Sequence, residues 1–287
     1  MVSEELIRAT TVQLLKRAST ELPGDVKEAL NDAYEREEEN IPKMQLRAIL
    51  DNITASEESG LPMCQDTGLL IFYVSLGIDD VKNLEDGIIK GVMDATETIP
   101  LRPNAVDPLT RENPGTNVGE RIPFINYRRN DGEYIEITAF PKGAGSENMS
   151  ALAMIPPSQG IRGIKEFVLK TVLDAKGKPC PPIIIGLGIG GSADISMKLA
   201  KEALLRPIDK IHSDESISEL ETILLDAFNE TGIGPMGMGG RTTVLGVNIE
   251  KAYCHTASLP VAVNIQCWAA RRASARIYSD GRVEHLK

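Results

Sequence analysis

The sequence predicts an α/β protein of mixed helices and sheets with a helical N-terminal segment. Three observations predict it: apolar residues at helical spacing through roughly the first sixty positions, short apolar runs bounded by glycine or proline, and an alternating segment around an Asn-Asp-Gly turn. Leu6, Ile7, Leu14 and Leu15 fall on one helical face, and Pro23-Gly24 breaks the pattern. Asp25 then stands where it can cap a second helix running to about Glu39, and a third follows from about Pro42. The run Glu35-Arg36-Glu37-Glu38-Glu39 reads as a solvated helix face.

Beyond Gly60 the pattern changes. Leu69 to Val74 is continuously apolar between Gly68 and Gly77, which suits a buried strand, and residues 81 to 96 return to helical spacing. Pro100, Pro103, Pro108, Pro114 and Pro123 remove amide donors and fix backbone angles, so an extended irregular connection is expected. Residues 124 to 140 read as a hairpin turning at Asn130-Asp131-Gly132, with Tyr134, Ile135, Ile137 and Phe140 on the return strand. Lys142-Gly143-Ala144-Gly145-Ser146 reads as a flexible loop. A helix at 158–175, a strand from Pro182 to Leu187, helices at 192–205 and 214–229, a glycine-rich loop and a strand from Thr242 to Ile249 complete the pattern. There is no internal repeat, and a soft division near residue 160 separates a first lobe, 1–160, from a second, 161–287.

Composition excludes several classes of function. With 31 Lys+Arg against 41 Asp+Glu the chain carries a net charge of −10, opposite to the basic footprint that nucleic-acid binding requires. No apolar run approaches the length of a membrane span, and the acidic N-terminus has no secretory pattern, so a soluble cytoplasmic protein is expected. Four cysteines in such a chain are metal ligands, nucleophiles or buried packing residues rather than disulfides, and none forms a C-x-x-C pair.

Four stretches could carry chemistry. Gly186-Leu187-Gly188-Ile189-Gly190-Gly191 fits G-x-G-x-x-G between a strand and a helix, but no acidic residue ends a following strand as dinucleotide binding needs. Anion binding at the helix N-terminus or close strand-to-helix packing explains those glycines as well. Gly232 to Arg241 is a second glycine-rich loop, readable as a ligand cradle or a tightly packed turn. Leu61-Pro62-Met63-Cys64-Gln65-Asp66-Thr67-Gly68 places a thiol, an amide and a carboxylate together before a buried strand, and Cys180 likewise precedes one. Two such thiols could converge at one edge of a sheet. The fourth stretch runs from Cys254-His255 to Cys267-Trp268-Ala269-Ala270-Arg271-Arg272. Neighbouring residues on a strand face opposite ways, so Cys254 and His255 are badly placed to act as a nucleophile pair.

Together the Cys64–Gly68 run, Lys142–Ser146, Cys180-Pro181-Pro182 with Gly190-Gly191-Ser192-Ala193, and the stretch Cys254–Arg272 resemble the iron–sulfur class I fumarases and L-tartrate dehydratases over nearly the whole chain. The resemblance implies that Cys64, Cys180 and Cys267 hold a [4Fe-4S] cluster and that Cys254 is spare. Three thiolates leave one iron open as a Lewis acid, suited to dehydrating a 2-hydroxy acid. It further implies substrate contacts at Gln65, Arg102, Gly145 and His255, with Asp66 as the proton-handling catalytic group.

Single-chain class I fumarases continue into a C-terminal domain carrying further cationic groups, whereas this sequence stops at Lys287. It therefore resembles the α subunit of a two-subunit hydro-lyase whose β subunit completes the site in a hetero-oligomer. The expected reaction is hydration of fumarate to L-malate, with dehydration of L-tartrate to oxaloacetate as the alternative on another small dicarboxylate. A nucleotide-binding protein using Gly186–Gly191 and a non-catalytic scaffold are the competing readings from other classes.

Overall fold

A computed structural model describes residues 2–79 and 81–286. The chain forms two compact units, each assembled from separated segments. The first comprises Met1–Pro23, Asn52–Ala144 and Arg271–Lys287, and the second Gly24–Asp51 and Gly145–Ala270. Helices and two mixed sheets make up both, as the α/β expectation requires.

In order, the chain forms α1 (Glu4–Thr20), α2 (Gly24–Arg36), α3 (Asn40–Ser59), β1 (Leu69–Leu76), α4 (Leu84–Thr98), β2 (Phe124–Arg129) and β3 (Tyr134–Lys142). There follow α5 (Ala144–Glu147), β4 (Ala151–Ile155), α6 (Gly160–Ala175), β5 (Ile183–Ile189), α7 (Ala193–Ala203) and α8 (Glu215–Asn229). The chain closes with β6 (Val244–Lys251), β7 (Leu259–Gln266), β8 (Ala273–Tyr278) and β9 (Val283–His285). Ser3 starts α1 by accepting the Leu6 amide on its hydroxyl.

The first unit holds a five-stranded sheet in the order β2-β1-β3-β8-β9. Its core joins Ile7, Leu14 and Leu15 of α1 and Ile88 and Val92 of α4 to Phe72, Val74, Ile135, Ile137 and Ile277 of the sheet. The expected hairpin does not form: β2 runs parallel to β1 and β3 antiparallel to it, so β1 lies between them. The Asn-Asp-Gly turn is present, but it passes over the end of β1, where Asn130 N donates to Leu76 O and Gly77 N to Tyr134 O. A fully apolar strand is better buried by neighbours on both edges than left at one, and the local alternation of 124–140 carries no information about that insertion.

The second unit holds a four-stranded sheet in the order β4-β7-β5-β6. Ile183, Ile185 and Leu187 of β5 and Val261, Val263 and Ile265 of β7 pack in one core with Val168 and Val172 of α6 and Leu220, Leu224 and Phe228 of α8. The alternate positions of β5 include Gly186 and Gly188, against which α7 lies. A Cβ on Gly188 would fall 1.9 Å from Ser196 O and one on Gly186 2.1 Å from Ala200 O. The fingerprint-like glycines therefore let a helix backbone approach a strand. Nor are the turn amides free for a phosphate, since Gly190 N donates to Pro260 O and Gly191 N to Tyr253 O.

Among the described residues no helix is long and apolar enough to cross a membrane.

Candidate functional site

The first unit builds the Cys64–Gly68 segment as a supported loop. Met63 is held on both sides, its amide donating to Ser19 O and its carbonyl accepting from Asn52 Nδ2 at 2.8 Å. Cys64, half-buried, follows directly, and Gln65 is exposed beside it. The Asp66 carboxylate is fixed by N–H donors on both oxygens: Gly68 N at 3.0 Å and Asn104 Nδ2 at 3.4 Å on Oδ1, and Ala144 N at 2.7 Å on Oδ2. These contacts leave the side chain little rotational freedom.

The proline-rich connection is tied to this loop. Thr67 Oγ1 accepts from Arg102 N at 3.0 Å and donates to Arg102 O at 3.2 Å, while the Arg102 side chain is exposed. Buried Asn117 braces the same turn by accepting Asn104 N at 2.6 Å and donating to Arg102 O at 3.2 Å. Cys64, Gln65, Asp66 and Arg102 thus belong to one bonded assembly. Asn104, Asn117 and the buried Arg271, whose Nη1 donates to Asp66 O at 2.6 Å, also belong to it and were given no role by the sequence. Asn117, at φ 58°, leaves no signature in sequence, and the Arg271-Arg272 pair does not reveal which arginine turns inward.

The second unit brings Cys180, Cys267 and Gly145 together. Cys180 takes a left-handed backbone angle of φ 55° just before β5, and Cys267 follows the end of β7. Trp268 N donates to Cys180 O at 3.3 Å, joining the two segments at one end of the sheet. Gly145 adjoins the Cys180 loop, since a Cβ there would meet Lys178 O at 3.5 Å. The expected flexible loop at 142–146 is ordered: it ends β3 and begins α5, whose Glu147 bonds Lys201 at 2.5 Å and Asn264 Nδ2 at 3.1 Å.

The glycine-rich stretch supports this end. Met236 N donates to Pro181 O at 2.7 Å, next to Cys180, and Gly239 N returns to Ile233 O. Its far end is anchored by Glu37, which is 1% exposed rather than solvated and accepts Arg241 N at 2.8 Å. The same carboxylate also caps α3 through Glu38 N and Glu39 N. Loss of that anchor loosens the brace on the thiol. A Glu37→Ala chain is therefore expected to be alkylated faster at Cys180 than the parent when free of metal, with the Cys267 rate as internal control by mass spectrometry.

His255 is not brought to this end. The segment expected as strand is an exposed loop between β6 and β7, where His255 Nδ1 accepts Ala257 N at 3.1 Å. The whole of β7 separates it from Cys267, roughly 25 Å at the rise of a strand. The two strands that follow Cys64 and Cys180 also belong to different sheets, so the thiols do not line one sheet edge.

None of the four cysteines is in a disulfide, and only Cys254 of them is exposed. Among the described residues no three His, Cys, Asp or Glu side chains converge tightly enough to share one metal ion. Thiolates of an iron–sulfur cluster each bind a different iron and need not meet at a point. The donor set fits such a cluster chemically: three half-buried thiols outside any disulfide, two of them on adjoining segments, with the buried Gln266 Oε1 beside Cys267 left without a partner among the described residues.

Comparison with known proteins follows the same lines. The family model described as "Fumarate hydratase (Fumerase)" matches residues 8–276. The chain is 53% identical over 283 residues to a putative L(+)-tartrate dehydratase subunit alpha of Methanocaldococcus jannaschii, covering 96% of this chain and 99% of that one. It is 32% identical to the L(+)-tartrate dehydratase subunit alpha of Escherichia coli K12, covering 93% of this chain and 89% of the relative. A putative fumarate hydratase class I of Geobacillus stearothermophilus is 35% identical, but there 95% of this chain spans only 55% of the relative.

Proposed function

The chain belongs to the fumarate hydratase (Fumerase) family, and on that premise we propose that it is the α subunit of a two-subunit iron–sulfur hydro-lyase that hydrates fumarate to L-malate. The observation that carries the reading is the adjoining of the Cys180 and Cys267 segments beside Gly145, with both thiols half-buried and outside any disulfide. Cys64, Cys180 and Cys267 would hold the cluster. When bound, a cluster with three protein thiolates supplies an open iron that acts as a Lewis acid toward a hydroxyl and carboxylate.

The chain's own residues do part of the remainder. The exposed Gln65 amide and Arg102 guanidinium bind carboxylate oxygens of a small dicarboxylate, and the Gly145 amide offers a further donor. Asp66, held by donors on both oxygens, moves a proton at its carboxylate during addition or loss of water. His255, at the far end of its sheet, is given no contact in the site of its own chain. A β subunit supplies the remaining groups, a reading supported by relatives of similar length named as alpha subunits. Cysteines outside any disulfide suit a reducing compartment such as the cytoplasm.

L-Tartrate is the second substrate reading, favoured by the names of the same two relatives. The test is anaerobic co-purification with a β-type chain, followed by iron and acid-labile sulfide analysis and assays on fumarate and L-tartrate. About four irons per chain with turnover of fumarate is the expected result; turnover of tartrate alone would select the second reading. A protein with neither iron nor turnover would sink both. An Asp66→Asn enzyme is expected to keep its iron and lose about 10²-fold or more in kcat, because an amide cannot shuttle the proton.

A further inference from the structure

Among the described residues Arg271 is the largest side chain buried to below 2%, and it makes no ordinary ion pair with any of them. It is 1% exposed, and Nη1 donates at 2.6 Å to the main-chain oxygen of Asp66. Its Nη2 and the Asp66 Oδ2 lie at equal distances, 3.3 Å, from the point where a Cβ on Gly143 would stand. Guanidinium and carboxylate thus flank a bare stretch of backbone. The buried Nε has no hydrogen-bond partner among the described residues. Burying a guanidinium costs several kcal/mol before pairing, and a side chain serving stability alone would be expected to complete its shell. This one instead directs its fork at the Cys64–Gly68 loop.

We propose that Arg271 is a positioning residue: it fixes the main chain at Asp66 and so sets the direction of that carboxylate toward substrate. The inference rests on the reading of Asp66 as the proton-handling group. A planar fork is needed, because a lysine keeps the charge but cannot reproduce the directed geometry of the guanidinium. The absence of a side chain at Gly143 belongs to the same arrangement, since a methyl group there would press on both partners.

The test uses the complete two-subunit enzyme carrying Arg271→Lys, Arg271→Met or Gly143→Ala, each alone and, for the lysine variant, combined with Asp66→Asn. Expected are iron content and melting temperature of Arg271→Lys close to wild type, a kcat lowered by about 10²-fold as for a misplaced catalytic group, and a KM changed far less. Gly143→Ala is expected to lower kcat in the same direction. The double variant is expected to be no slower than Asp66→Asn alone, because both changes act on one group.

Additive losses in the double variant would overturn the positioning role while leaving the Asp66 reading intact. Full activity of Asp66→Asn would instead remove that reading and this inference with it. Wild-type kcat in Arg271→Lys, or a loss matched by lost iron, would mark Arg271 as structural only. Should Arg271→Met fail to fold, the lysine and Gly143→Ala enzymes decide the matter.

Discussion

A Gly188→Ala chain is expected to lose about 3 kcal/mol or more of stability, read as a melting temperature lower by roughly 6 °C or more. The added Cβ would lie 1.9 Å from Ser196 O, and the obstacle is helix backbone rather than a side chain that can rotate away. Either α7 lifts from β5 or the strand bends, and both movements break packing on a sheet whose other face is the hydrophobic core. The same glycines would be the phosphate cradle under a nucleotide-binding reading. Their turn amides are already bonded to Pro260 O and Tyr253 O, so the wild-type chain is expected to bind neither NAD nor ATP in calorimetric titration. Binding of either, abolished by Gly188→Ala, would revive the nucleotide reading.

Replacement of Cys180 by serine is expected to have the largest effect on function. Cys180 sits at a left-handed backbone position clamped from two sides, by Trp268 N on its own carbonyl and Met236 N on that of Pro181. Serine preserves the size of the side chain and that backbone, so the fold should survive while the thiolate ligand is gone. Iron per chain should fall from about four to near zero and turnover to background, with the melting temperature of the metal-free chain unchanged. Cys254→Ser is the matching control: that thiol is exposed, in the loop at the opposite end of β7, and the variant should retain iron and turnover. A Cys180→Ser enzyme that kept its iron would remove Cys180 from the ligand set.

Much of the secondary structure is legible in the sequence because it is local. Periodicity in Leu6–Leu15 and the apolar run at 69–74 correspond to α1 and β1, and the proline-rich connection is irregular as expected. Pairing is not local. Alternation in 124–140 announces two strands and a turn, but nothing in those residues says that β1 occupies the place between them. The chain likewise changes between compact units after residues 23, 51, 144 and 270, where the sequence shows at most a local break, as at Pro23-Gly24 and in the 142–146 loop. Buried charge is the other limit. Glu37 belongs to an acidic run that looks solvated, yet it alone turns inward to collect three amides. Arg271 similarly looks like one of a pair of surface arginines, and only the fold reveals its partner.

At the candidate site the motif at 64–68 is readable because thiol, amide and carboxylate are adjacent in the chain. Asn104 and Asn117 are not, since the partners that give them their work lie 13 to 38 positions away in the chain. His255 marks a different limit: proximity in sequence to Cys267 suggests a shared site, but a strand of eight residues carries its two ends far apart.

The five-stranded sheet has a consequence for synthesis. β3 pairs on one side with β1, already made, and on the other with β8, where Ala139 meets Ala273. At ordinary translation rates the nascent chain therefore carries an open, apolar strand edge for roughly ten seconds before its neighbour leaves the ribosome. Such an edge invites pairing with other chains. Chaperone occupancy of the growing polypeptide should accordingly begin once β3 emerges and end only when β8 is released.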